Sequence, residues 1–137
     1  MEVIGEVKND FKEPTELDKI REKESLIIVK EKYEEGLYRI EERDYLQVVF
    51  YFHLSAGYKL KAPRHNGEIR GVFASRSPYR PAGIGVTTVK LLKREGRKLK
   101  VTMLDALDGT PVLDLKPYAP DLDRAQNTRG KGGENKQ

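Results

Sequence analysis

The residues best suited to chemistry lie between Arg70 and Gly85, where the chain reads Arg70-Gly71-Val72-Phe73-Ala74-Ser75-Arg76-Ser77-Pro78-Tyr79-Arg80-Pro81-Ala82-Gly83-Ile84-Gly85. Arg76 and Arg80 bring two guanidiniums into one loop, and each is a planar fork of donors that suits a carboxylate or a phosphate. Pro78 and Pro81 stiffen that loop, while Gly83 and Gly85 let a ligand approach the backbone closely. Locally, the same residues are also compatible with two surface charges beside an ordinary turn.

A second stretch, Leu104-Asp105-Ala106-Leu107-Asp108-Gly109-Thr110-Pro111-Val112-Leu113-Asp114-Leu115, holds three aspartates. Asp108-Gly109 is a strong turn signal, because the carboxylate can accept nearby backbone N–H groups. The amides and carbonyls of such a turn could read the edge of a small ligand, although a purely structural turn fits as well. The aspartate spacing does not match a calcium loop. His53 ends the apolar run Phe50-Tyr51-Phe52-His53 and reads either as a rim hydrogen-bonding group or as a ligand contact. His65 sits in a polar loop and reads as a surface residue. No Ser/His/Asp arrangement stands out. Cysteine is absent and only two histidines are present, which argues against a thiol nucleophile, a disulfide scaffold or a His/Cys metal centre.

The elements that must position these groups read as strands. The apolar runs are short, rich in β-branched or aromatic residues, and bounded by turn residues. Strands are expected at Val3–Lys8, Leu26–Lys30, Tyr45–His53, Ile69–Ala74, Gly85–Leu92, Leu99–Leu104 and Pro111–Leu115. A hairpin turn is expected at Lys93–Arg97, and one short helix at Thr15–Lys23. Tyr45–Phe52 is apolar at both parities apart from Gln47, so both of its faces should be covered. The expected fold is all-β, a small closed or nearly closed β-barrel of about seven strands with at most one short helix. Closure would also remove the edge strands. A Rossmann site is excluded, because neither a βαβ unit nor a G-x-G-x-x-G turn is present.

The 137 residues amount to one domain. Residues 1–122 are expected to form it, with 123–137 as a polar, mobile tail lacking large apolar side chains. A net charge of +4 and a pI near 9.2 permit a polyanionic partner without requiring one. The longest apolar run, Val48–Phe52, is far short of a membrane span, and the N-terminus has no secretory pattern. A soluble, cytoplasmic protein with no membrane partner is expected.

Taken together, the run Gly71–Pro81, the Ile84-Gly85 pair, the stretch Leu104–Tyr118, the N-terminal Ile4-Gly5-Glu6-Val7 and the Phe52-His53 strand end resemble the TsaA-like (TrmO) family across residues 3–122. The resemblance implies a β-barrel that binds S-adenosyl-L-methionine without a Rossmann fold, as a homodimer with the cofactor near the subunit interface. It also implies methyl transfer to N6 of threonylcarbamoyladenosine beside the tRNA anticodon, with the anticodon loop as partner. Carried over by matching position, the cofactor contacts are His53, Leu54, Arg76, Val86, Asp108, Gly109, Thr110 and Pro111. This chain has Ala82-Gly83 where the family usually reads Asn-Pro, and Lys12-Glu13-Pro14 where it often carries Pro-Arg-Gln.

Methyl transfer from a sulfonium depends on positioning and a favourable field. Arg76, Tyr79 and Arg80 are the expected substrate contacts, with the tyrosine stacking on a base or facing the sulfonium. Asp108, Asp105 and His53 are the candidates for a catalytic base. Competing readings are a methyltransferase of the same cofactor class acting on another acceptor and a non-enzymatic RNA-binding barrel.

Overall fold

The computed structural model describes residues 1–13 and 17–125. The chain runs through β1 (Gly5–Lys8), α1 (Leu17–Ile20), β2 (Ser25–Val29), β3 (Tyr45–Tyr51), β4 (Lys61–Pro63), β5 (Ile69–Gly71), β6 (Ile84–Glu95), β7 (Lys98–Thr102), β8 (Pro111–Pro117) and α2 (Pro120–Asp123). Six strands close into a barrel in the order β1-β2-β7-β6-β3-β8, every neighbouring pair antiparallel. Alternation explains the closure, because strand side chains point to opposite faces. Val7, Ile27, Val29, Leu46, Val48, Phe50, Val89, Leu99, Val101 and Val112 turn inward and make a continuous core.

The all-β barrel is as expected, but the strand count is corrected. The strand expected at Ile69–Ala74 is not a barrel stave. Its extended part, Ile69–Gly71, is exposed throughout and pairs with Lys61–Pro63, a strand the sequence reading missed. It offers no buried position to draw it into the barrel, and the one buried residue nearby, Val72, falls in a 3-10 turn, Val72–Ala74. The helix content is also corrected, to two four-residue helices among the described residues plus 3-10 segments at Glu31–Leu37, Ile40–Glu42 and Val72–Ala74. The start of the helix expected from Thr15, and residues 126–137 of the expected tail, lie outside the described residues.

A third correction concerns β3. Leu46, Val48 and Phe50 are buried, whereas Tyr45 and Tyr51 on the opposite parity are exposed and Gln47 and Val49 half-buried. A closed barrel has one interior, so the outer parity is covered only where something else packs on it. The β6–β7 hairpin turns at Gly96-Arg97, shorter than expected, with Gly96 at φ 61°.

Antiparallel order sorts the connections by barrel end. The segment between β2 and β3 closes one end, its Leu37 buried in the core and its carbonyl accepting from Arg94 Nη1 at 2.9 Å. The ends of β1, β3 and β7 and the starts of β6 and β8 meet at the other. Every loop holding a candidate functional residue leaves from that second end. No helix of the described residues is long and apolar enough to cross a membrane.

Candidate functional site

At the second end, the β7–β8 connection folds over the barrel mouth. Leu104, Ala106 and Leu107 are buried there. The turn Leu107–Thr110 is closed by Thr110 N–H and Oγ1, both donating to Leu107 O, at 3.1 and 2.7 Å. Gly109 sits at φ 86°, the left-handed region that glycine enters without steric cost. A Cβ there would stand 3.7 Å from His53 Nε2, so the turn and the end of β3 are close neighbours.

The amides of this turn are committed within the protein, contrary to the expectation that they could read a ligand. Asp108 N–H donates to Phe11 O and Gly109 N–H to Val7 O, each at 2.8 Å. The Asp108 carboxylate is committed as well. Its Oδ1 accepts the backbone N–H of Asn9 at 2.9 Å, and its Oδ2 meets Lys12 Nζ at 2.8 Å. The Lys12 hydrogen bond, followed by the Asn9 N–H, holds the Asp108 carboxyl below the usual carboxylate range, and Asp108 correspondingly raises Lys12. Asn9 completes the clamp. Its Nδ2 donates to Ser25 Oγ at 3.1 Å and to Ala106 O at 3.0 Å, and its Oδ1 accepts Phe11 N–H at 2.9 Å. Sequence reasoning missed Asn9 and Lys12, which lie almost a hundred positions from the turn they hold.

Between this turn and the loop before β6 lies a cavity of about 150 Å³. Phe50, Phe52, His53, Leu54, Tyr79 and Asp105 contribute to its lining, and Thr110 closes it. Phe50 and Phe52 meet edge to face at 5.2 Å. A Cβ on Gly85 would come within 2.7 Å of Phe52 Cζ and 2.9 Å of Phe50 Cζ, so only glycine permits this packing. Asp105 accepts from Thr87 Oγ1 at 2.5 Å and lies 3.6 Å from Arg21 Nη1. His53 makes no hydrogen bond among the described residues.

The structure thus brings His53, Leu54, Tyr79, Asp105 and Thr110 together, with Gly109 against His53. Arg76 and Val86 form a separate pair, Arg76 Nη2 donating to Val86 O at 2.7 Å. Arg76 lines a larger neighbouring cleft of about 730 Å³ that shares Pro78 and Tyr79 with the cavity. Pro111 opens β8 opposite Glu6, away from the cavity. Arg80 braces its own loop, with Nη1 donating to Ser75 O at 2.9 Å and Ser77 O at 3.1 Å.

The fold is a closed antiparallel barrel of a non-Rossmann class, with its polar loops gathered around an aromatic cavity at one mouth. The family described as tRNA-methyltransferase O N-terminal domain (TrmO_N) matches residues 3–124, and the chain belongs to that family. A probable S-adenosyl-L-methionine-binding protein of Pyrococcus abyssi is 39% identical over 132 residues, covering 92% of this chain and 71% of that protein. The tRNA (adenine(37)-N6)-methyltransferase of Mus musculus is 45% identical over 98 residues, covering 69% of this chain and 23% of that one. The crystal structure of TrmO from Pseudomonas aeruginosa superposes with a TM-score of 0.70 at 30% identity, covering 89% of this chain. The present chain spans 56% of that solved chain.

Proposed function

We propose that this protein is an S-adenosyl-L-methionine-dependent methyltransferase acting on N6 of the adenosine beside the tRNA anticodon, with threonylcarbamoyladenosine as the modified base. The observation that carries the reading is the aromatic cavity walled by Phe52 and Tyr79 with Asp105 on its lining. Aromatic faces and a carboxylate together suit a ligand that is both adenosine-bearing and cationic at sulfur. The names of the Pyrococcus and mouse relatives support the same cofactor and the same class of acceptor.

The cofactor, when bound, supplies a sulfonium methyl open to in-line displacement. The chain's own residues do the rest. Phe52 and Tyr79 flank the cavity and exclude water from it. Arg76 uses only Nη2 on Val86 O, which leaves the rest of its fork for a carboxylate. Asp105 adds negative charge beside the cavity. Of the three candidate bases, Asp108 and Asp105 have both carboxylate oxygens occupied by protein partners. His53 does not, and it is assigned as the group that accepts the N6 proton.

Leu54 and Val86 are apolar and exposed. A homodimer covering them would complete the cofactor site, and a cytoplasmic location follows from tRNA as substrate. Ala82-Gly83 favours a second reading, the same cofactor with another acceptor, because a ring is missing next to Tyr51 and Phe52 and an amide at the position before it. Transfer of labelled methyl to tRNA pools with and without the threonylcarbamoyl group tests both. Label confined to the modified pool supports the main reading, and label in neither pool contradicts it.

A further inference from the structure

The protein's positive charge is not spread over its surface. Residues 57–80 contain six Lys or Arg and one Glu, a net of +5, whereas the whole chain carries +4. The remaining residues are therefore net negative, and the chain's positive surplus lies in this one segment. In this lobe Arg70 is paired with Glu68 at 2.7 Å. Lys59, Lys61, Arg64, Arg76 and Arg80 meet no carboxylate among the described residues.

The lobe is also pre-shaped. β4 and β5 pair as a hairpin with Gly67 at φ 83° in its turn. Arg64 ties it from the side, Nε donating to Arg70 O and Nη2 to Lys59 O, each at 3.1 Å. Val72 N–H donates to Leu60 O at 2.8 Å and anchors the hairpin to the loop that follows. The cleft of about 730 Å³ lies between hairpin and loop, lined in part by Tyr58, Lys59, Arg64, His65, Arg76 and Tyr79. Tyr58 and Phe73 are exposed aromatics on the same lobe. Cations interleaved with exposed rings around an open groove are what a single-stranded nucleic acid needs, with phosphates on the cations and bases stacked on the rings. An acidic peptide would use the charges and leave the rings idle, and a duplex would hide its bases from them.

We infer that this hairpin lobe is the protein's RNA grip, holding the unpaired nucleotides that flank the acceptor. Tyr79 and Pro78, which line both the cleft and the cavity, form the wall over which the acceptor base passes to His53. The inference rests on the RNA-substrate reading above and adds the surface and the strand state recognised. Base-edge contacts are few on such a surface, so affinity is driven by charge and stacking.

The test uses the full chain without cofactor and a labelled hairpin RNA with an anticodon-sized loop, beside a blunt duplex of the same stem. Binding is followed by anisotropy across a salt series for the wild type, a Lys59→Ala/Lys61→Ala double variant and Tyr58→Ala. S-adenosyl-L-methionine affinity is measured separately on each protein. The expected result is a preference for the hairpin and a salt slope reduced by about 1.4 in the double variant, for two lost phosphate contacts. Tyr58→Ala should weaken binding about fivefold or more, as for loss of a stacked base. Cofactor affinity should be unchanged in both variants. Wild-type RNA binding by both variants would overturn the lobe assignment alone. Failure of the wild type to bind either RNA would overturn the lobe together with the RNA-substrate reading. A change of oligomeric state in the variants, seen by sedimentation, would assign the lobe to a second copy of the chain and also overturn the proposal.

Discussion

Asp108 Oδ1 accepts the backbone N–H of Asn9 at 2.9 Å, joining the end of β1 to the turn before β8 across 99 positions of sequence. With Lys12 on the other oxygen and the Asn9 side chain reaching Ser25 and Ala106, the contact fixes the turn that lies against His53. The Asp108 carboxylate therefore serves as an anchor of the site floor, and its lowered pKa makes it a weak proton acceptor.

Asn9→Ala removes three side-chain hydrogen bonds and leaves the buried Ser25 hydroxyl and the Ala106 carbonyl without their partner. A loss of about 1–3 kcal/mol in unfolding free energy is expected, the usual range for orphaned polar groups. Urea titration measures it. Because the turn loosens with the clamp, cofactor affinity should fall too, while Asn9→Ser should recover part of both.

Asp108→Asn tests the anchor through pH. A carboxylate whose folded pKa is depressed contributes stability above its ordinary value near 3.8, and that contribution is lost as pH falls through the folded value. The stability difference between wild type and Asp108→Asn should thus be full at neutral pH and shrink as the solution is acidified below that range. A difference independent of pH would contradict the assignment of Asp108 as ionised and paired.

Gly85→Ala places a methyl group where the Phe50 and Phe52 rings lie. Overpacking of this kind costs about 1–3 kcal/mol. The displaced Phe52 ring lines the cavity, so cofactor binding should weaken further than the stability loss alone explains. Comparing calorimetric affinity with unfolding free energy separates the two effects.

The barrel was legible because strand alternation and turn residues are local signals. β1, β2, β3, β6, β7 and β8 all fall within a few residues of the apolar runs that predicted them. The β4–β5 hairpin was half hidden, since Lys61-Ala62-Pro63 has no alternation and its pairing is held by backbone bonds and Arg64. His53 and the Asp108 turn, which the fold places side by side, were picked out by type and by motif. Asn9 and Lys12 were not, because a polar residue after a short strand looks like any loop residue until closure of the barrel brings the turn beside it. Arg80 shows the opposite limit. Its type suits a substrate anion, and the fold adds a role that type does not show, with Nη1 bracing the loop on Ser75 O and Ser77 O.

Arg76 offers the most direct test of the central claim, that this barrel mouth binds S-adenosyl-L-methionine. Its Nη2 is held on Val86 O at 2.7 Å and the remainder of the guanidinium is open to a carboxylate. The measurement is calorimetric titration of the wild type, Arg76→Ala and Arg76→Lys with S-adenosyl-L-methionine and its demethylated product. Saturable binding near one cofactor per chain is predicted, weakened about tenfold or more by Arg76→Ala, as expected for loss of a charge-assisted hydrogen bond. Arg76→Lys should recover the charge but not the planar fork, and so only part of the affinity. Absence of wild-type binding at millimolar cofactor, or full affinity in Arg76→Ala, would contradict this account of the site.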